Sequence, residues 1–228
     1  GQLAVYRLGH GLGQQGEGSR DIAHNLQEHG LIRSAPFFRL YVLTAGVSHT
    51  LQAGDYLLSP SLSLFDIVQK FTQGDVIREK LTIVEGWNIQ DITEYLTGKG
   101  IQVDISQSLE GYLFPDTYFV QRGISTSEIV NVMRQNFDKK FGHSLRDEAL
   151  KQTKTIHEVI TMASLLEREL QKFEDKKIAG GILWKRLNVG MALQVDAAPI
   201  TYAIPGLPQN PIANPGLEST RAALWPTQ

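Results

Sequence analysis

The sequence predicts an α+β fold, with small α+β lobes at the N-terminal side followed by a larger mixed α+β domain. Three observations predict it. A short helical signature recurs three times before residue 102, with strand-like runs between the copies. From Glu110 onward the pattern changes to longer helices separated by loops rich in Pro and Gly. The 228 residues are 42% hydrophobic and 20% charged, ordinary for a globular chain of one large or two to three small domains. The expected division is a lobe over 1–78, a separate segment over 79–104 and a domain over 105–228.

Gly9 to Gly18 is rich in Gly and Gln and reads as a loop. The first copy of the repeat follows: Asp21-Ile22, then Leu26, then Gly30-Leu31. The second has the same spacing, with Asp91-Ile92, Leu96 and Gly100-Ile101, and a shorter third has Asp66-Ile67, Phe71 and Gly74. Apolar residues four apart share one helix face, and a glycine just past the end suits a left-handed C-cap. Ser63 is the expected N-cap of the third copy. Before the second, Leu81 to Val84 reads as a strand and Glu85-Gly86 as a turn, and Asn88 with Asp91 forms a capping box. This strand-turn-helix unit resembles a LysM-type module, a fold that binds N-acetyl sugars; a generic packing unit without ligand stays open beside it.

Gly111 to Tyr118 is aromatic and broken by Pro115, an ordered loop or edge strand. Helices are expected over 127–141, with Ile129, Val130, Met133 and Phe137 inward, over 155–170, and over 175–187 with Asn188-Val189-Gly190 closing it. A short strand, Met191 to Val195, and a Pro/Gly-rich tail complete the chain.

The bulk numbers narrow the function. Net charge is −2 with no dominant basic patch, so nucleic acid is not an expected partner. The absence of cysteine removes disulfides, thiol catalysis and thiolate metal sites. The six histidines are scattered without metal-ligand spacing, so neither metal nor cofactor is expected. There is no nucleophile elbow or phosphate loop. No apolar run approaches the roughly 20 residues that span a bilayer. Gly1-Gln2-Leu3-Ala4 is not a natural start, and a membrane anchor is expected to have been cut away.

Glu167 breaks its own pattern. Ile156, Val159, Ile160 and Ala163 form an apolar stripe, and Glu167 occupies its next step, four beyond Ala163. A carboxylate on a buried face is costly unless paired or protonated, and desolvation raises its pKa. A raised carboxyl pKa is what a general acid needs. Glu167→Gln is accordingly expected to leave stability unchanged or higher. Two other readings stand: Glu167 ends the stripe at the solvent edge, or it pairs with Arg168, Lys185 or Arg186. Glu169 points about 200° away, at about 100° per residue, so the two carboxylates do not share a face. Partners must come from elsewhere. Glu110 opens the aromatic loop, Gln194 and Asp196 alternate on one strand face, and Asn214 sits in a tight turn. Tyr112, Tyr118 and Tyr202 offer rings for stacking on sugars, although each of these residues also has a structural reading.

The run Ala163-Ser164-Leu165-Leu166-Glu167-Arg168-Glu169 resembles the catalytic-helix motif of the MltG (YceG-like) endolytic murein transglycosylases. So do, in order along the chain, Val84-Glu85-Gly86-Trp87, Glu110 through Tyr118, Ile178-Ala179-Gly180, Lys185-Arg186-Leu187, Leu193-Gln194-Val195-Asp196 and Gly206-Leu207-Pro208 with Pro211 through Leu217. The sequence departs from the family's pattern between Ala197 and Pro205, where the family has a longer polar and aromatic loop, and in the short linker before Glu17-Gly18.

The resemblance implies cleavage within peptidoglycan glycan strands and a single-pass anchor that places the protein on the extracytoplasmic face of the bacterial inner membrane. It implies a membrane-proximal lobe over 1–78, a LysM-like segment over 79–104 and a catalytic domain over 105–228. It maps the catalytic glutamate onto Glu167, the residue the stripe singles out, with Glu110, Tyr118, Gln194, Asp196 and Asn214 as substrate contacts. Partners would be glycan strands and the cell-wall synthesis machinery. Two rivals remain: a lysozyme-like hydrolase, with Asp196, Glu110 or Glu174 as second carboxylate, and a non-catalytic glycan-binding protein.

Overall fold

The computed structural model describes residues 3–9, 18–198 and 206–227. Two compact units divide the chain: Gly1–Lys80 with Phe119–Gly123, and Leu81–Tyr118 with Ile124–Gln228.

In the first unit β1 (Ala4–Leu8) precedes α1 (Ser19–Glu28) and α2 (Ala35–Thr44), and β2 (Gly54–Leu58) precedes α3 (Leu64–Gln73). β1 pairs antiparallel with β2, Tyr6 opposite Tyr56. Arg7 clamps the buried Asp55 across the pair, Nε to Oδ1 at 2.7 Å and Nη2 to Oδ2 at 3.1 Å. The bidentate geometry is what lets a carboxylate sit inside. Ile22 and Leu26 of α1 are buried, as are Ile67 and Phe71 of α3, so the repeated spacing translates into core contacts. Ser63 caps α3 in a capping box with Asp66, and Gly74 closes it in the left-handed conformation, φ 64°. The sequence reading had no place for α2, which is apolar nearly all round. Phe38 and Val42 face inward while Phe37, Leu40 and Leu43 stay exposed, so there is no single stripe to read.

β3 (Arg78–Thr82) pairs with β4 (Thr117–Gln121), and the division between the units runs through both strands. The expected strand at 81–84 therefore starts earlier and stops at Thr82. Residues 79–104, expected as a segment of their own, are divided at Lys80, with α4 (Ile89–Gly98) in the second unit. Asn88 caps α4 with Asp91 in the expected capping box, and Ile92 and Leu96 are fully buried.

The second unit continues with α5 (Thr126–Lys140), α6 (His143–Lys151), α7 (Ile156–Glu169), α8 (Phe173–Asn188) and α9 (Leu217–Leu224). Ile129, Met133 and Phe137 are the buried residues of α5. Thr155 caps α7 reciprocally with Glu158. Every residue of α7 from Val159 to Leu166 is buried, so the apolar stripe belongs to a helix covered on all sides. α9 was hidden in the tail. It has eight residues and no side-chain cap, and its inward face of Ser219, Thr220, Ala222, Ala223 and Leu224 is mostly small side chains. It packs against α7 and α8. The strand expected over 191–195 does not form. Gln194 adopts φ 55°, which breaks the alternation, and only Ala192 makes an isolated bridge. No described helix is long and apolar enough to cross a membrane.

Candidate functional site

Glu167 lies in the last turn of α7, where the buried helix emerges, and its side chain is 8% exposed. Its partner is none of those expected from the sequence. Lys176, in the first turn of α8 and 4% exposed at its side chain, donates from Nζ to Glu167 Oε1 at 2.8 Å. Gly216, the N-cap of α9, donates its N–H to Oε2 at 2.9 Å. The carboxylate thus sits at the positive end of α9 and beside a buried ammonium, both of which favour negative charge there.

The loop before α4 closes over the same carboxylate. A Cβ on Gly86, were there one, would lie 3.5 Å from Glu167 Cγ, and Arg168 Nη1 donates to Gly86 O at 3.3 Å. Glu85 brings a second carboxylate. A Cβ on Gly216 would lie 1.9 Å from Glu85 Oε1, so the end of the Glu85 side chain occupies the place where a side chain at 216 would begin, while the backbone there is extended at φ −76°. Both glutamates bracket Gly216, and the two carboxyl groups are no more than about 7 Å apart. Burial and the charge of Glu167 push the Glu85 carboxyl above the usual range, Lys176 opposes this, and Glu218 adds to it.

Asn214 and Glu110 meet, but inside the protein. Asn214 is fully buried. Its Nδ2 donates to Trp87 O and to Glu110 Oε1, both at 3.0 Å, and its Oδ1 accepts from Leu113 N at 2.9 Å. Its backbone exchanges further bonds with Gly86 and Trp87. Glu110 Oε2 accepts the N–H of Ile89 at the start of α4, and burial holds this carboxyl above its ordinary value. Tyr118 is buried, its hydroxyl donating to Phe114 O and accepting from Asn136. Burial pushes its phenol up to about 12.

Gln194 and Asp196 lie on another side of α7, both exposed. Arg186 Nη1 donates to Gln194 Oε1 at 2.9 Å, and Glu169 Oε1 accepts the N–H of Ala197 at 2.6 Å. Gln194, Arg186 and Glu169 rim a mainly apolar cavity of about 280 Å³ that Glu167 does not line. Glu167 and Glu169 thus have separate surroundings, as helix geometry requires. Tyr202 lies outside the described residues. Ser164 Oγ donates to Thr161 O, and His157 bonds Tyr112 and the Gln209 carbonyl, so no nucleophile triad forms. Among the described residues no cluster of His, Asp and Glu is arranged to hold a metal.

The sequence reading missed Glu85, Lys176 and Gly216. Lys176 carried a signal: it falls on the same stripe as Gly180 and Leu183, and it is a cation in a helix's first turn, where acids are favoured. Two residues that break apolar patterns, Glu167 and Lys176, answer each other.

The chain matches the YceG-like family over residues 14–200. It is 28% identical to the endolytic murein transglycosylase of Bacillus subtilis, with 90% of this chain and 72% of that protein covered. The alignment runs over 261 positions against 228 residues here, so the relative has residues where this chain has none. The endolytic murein transglycosylase of Streptococcus pneumoniae R6 is 29% identical over 86% of this chain, which spans 43% of its length. The crystal structure of a putative yceG-like protein from Listeria monocytogenes superposes with a TM-score of 0.59 at 26% identity, covering 99% of this chain and 91% of that one.

Proposed function

This chain belongs to the YceG-like family, and we propose that it is an endolytic murein transglycosylase with Glu167 as its general acid and base. One observation carries the residue assignment: Glu167 is a carboxylate directly after the buried stretch Val159–Leu166 of its helix, fixed at both oxygens and approached by a glycine loop. Groups held this rigidly keep the geometry that proton transfer requires. Protonated Glu167 gives its proton to the oxygen linking N-acetylmuramic acid to N-acetylglucosamine, and the C1–O bond breaks through an oxocarbenium-like transition state. The muramyl 6-hydroxyl attacks C1 and returns its proton to Glu167. The product is a 1,6-anhydromuramyl end.

Glu110, Tyr118 and Asn214 serve this site as internal supports that shape the Gly86–Trp87 loop and the segment after it. Gln194 and Asp196 contact glycan further along α7, on the side of the apolar cavity. Residues 79–104 keep the LysM-like, sugar-facing reading on the strength of Trp87 and Tyr95, half-exposed rings 5.2 Å apart. Murein places the work outside the cytoplasm, and the anchor at the inner membrane and contact with wall-synthesis proteins belong to the same proposal.

Glu85 gives the hydrolase reading a specific footing, because carboxyl pairs about 5–9.5 Å apart hydrolyse glycosides. Mass spectrometry of digested peptidoglycan separates the two. Anhydromuramyl ends from the wild type and none from Glu167→Gln are expected, a loss of at least about 10²–10⁴-fold. Reducing muramyl ends alone would make the protein a hydrolase, and cleavage by Glu167→Gln at the wild-type rate would remove Glu167 as the acid.

A further inference from the structure

Lys176 presents a difficulty for the reaction above. An ammonium stands 2.8 Å from Oε1 as the counter-charge of a carboxylate, whereas the first step needs a proton on Glu167. The site therefore has to supply negative charge that balances Lys176 while Glu167 carries its proton. Glu169 points to another side of α7 and bonds the Ala197 N–H, Asp196 lies beside that contact in the segment after α8, and Glu110 is bonded to Ile89 and Asn214. Glu85 is the carboxylate that reaches the same glycine.

We propose that Glu85 is the second carboxylate of this site and shares a single proton with Glu167 beside Lys176, so that the acid form of Glu167 is present in the working enzyme. The inference rests on the reading of Glu167 as the acid. Its support is geometric. Glu167 Oε2 takes the Gly216 N–H, and Glu85 Oε1 occupies the space where a Gly216 side chain would begin. The charge balance agrees. With both glutamates ionised, one lysine faces two carboxylates, and Glu218 on α9 adds a third charge at longer range. One proton on the pair leaves a carboxylate against an ammonium. The charged groups facing Glu85 are Glu167 from α7, Lys176 from α8 and Glu218 from α9, while Arg168 of α7 bonds the neighbouring Gly86 carbonyl. Burial first, and then the charge of Glu167, push the Glu85 carboxyl above its ordinary range, in keeping with a proton held on this pair.

The step conserves atoms and charge. One proton is held by the pair, the glycosidic oxygen takes it from Glu167 as C1–O breaks, and the 6-hydroxyl returns one as it bonds to C1. Glu85 forms no bond to the sugar. It acts through Glu167 and is a positioning residue in the electrostatic sense.

Carboxyl ¹³C NMR titration of the full chain tests this without relying on activity. In Glu85→Gln, Glu167 should lose its proton about one pH unit lower than in the wild type, because a negative neighbour within about 7 Å has been removed. Glu85 should shift the same way in Glu167→Gln, and Glu85→Asp should lie close to wild type. The alkaline limb of kcat/KM for glycan cleavage should move to lower pH in Glu85→Gln and return in Glu85→Asp. Superimposable Glu167 titrations in wild type and Glu85→Gln overturn the proposal, as do superimposable kcat/KM profiles. A chain whose two carboxyls titrate as a pair but which leaves peptidoglycan intact overturns the reading of Glu167 as acid, and only that reading.

Discussion

Replacing Lys176 by Met removes one half of a buried ion pair and leaves the other half in place. Both side chains are under one-tenth exposed and the N–O distance is 2.8 Å. Stranding one partner of such a pair costs about 3–5 kcal/mol. The expected value is near 3 kcal/mol, because Glu167 keeps the Gly216 N–H. For a unit of this size that is a fall in Tm of roughly 6–12 °C. Glu167→Gln strands the lysine in turn, so it should also destabilise, by about 2–4 kcal/mol. This reverses the expectation drawn from the sequence, which counted the buried carboxylate and not the buried ammonium it neutralises. The double variant Glu167→Gln/Lys176→Met replaces the pair with neutral groups of similar shape and should recover most of the loss. Urea denaturation of the four proteins gives the coupling directly, and about 3 kcal/mol or more is expected. A coupling below about 1 kcal/mol, the range of exposed pairs, would refute the claim that the two charges form a desolvated unit.

Asn214→Ala should cost about 2–4 kcal/mol, since it leaves the buried Leu113 N–H without its acceptor and takes a donor from Glu110; denaturant unfolding checks it. Gly216→Ala should barely change stability, because the added methyl meets the far end of a flexible side chain, yet it should displace Glu85 and shift the pH profile of cleavage as Glu85→Gln does. Glu158→Ala should destabilise by about 1 kcal/mol at neutral pH. The bonds from Thr155 hold the Glu158 carboxyl below its ordinary 4.5, so its contribution is complete above that value and lost as pH falls through the lower, folded one. Thermal melts at pH 7 and pH 3 should therefore show a large and a small difference from wild type.

Much of the architecture was legible because the signals were local. The Asp-Ile-x-x-x-Leu spacing encodes a helix face within two turns, and three such faces are buried as expected. The N-cap at Ser63 and the capping box at Asn88 are likewise written within four residues, whereas the box at Thr155 has the same local form and is seen only in the structure. Glu167 was visible because a charge interrupted an apolar period. What failed was non-local. Gln194 and Asp196 were assigned to one strand face, and a single left-handed residue undid it. The sequence places Asn214 in a turn and Glu110 at the start of the aromatic loop, but it does not show that they bond each other across 104 positions. α9 escaped because helices that pack through Ala and Ser leave little hydrophobic periodicity.

The span of those partnerships has a consequence for how the protein comes into being. The bonds that assemble the site join residues 49, 101, 104 and 127 positions apart. Closing loops of that length precedes any gain from the contacts, so this part of the structure is expected to form late. During synthesis the loop at Gly86 and the helix bearing Glu167 leave the ribosome well before Asn214 and Gly216. Until residues 214 and 216 arrive, the carboxylate has Lys176 but not the Gly216 N–H, and the loop at Gly86 lacks its Asn214 partners. A site that handles the cell wall is thereby assembled only well after the helix carrying its acid has been made, and a copy cut before Asn214 is expected to be inert.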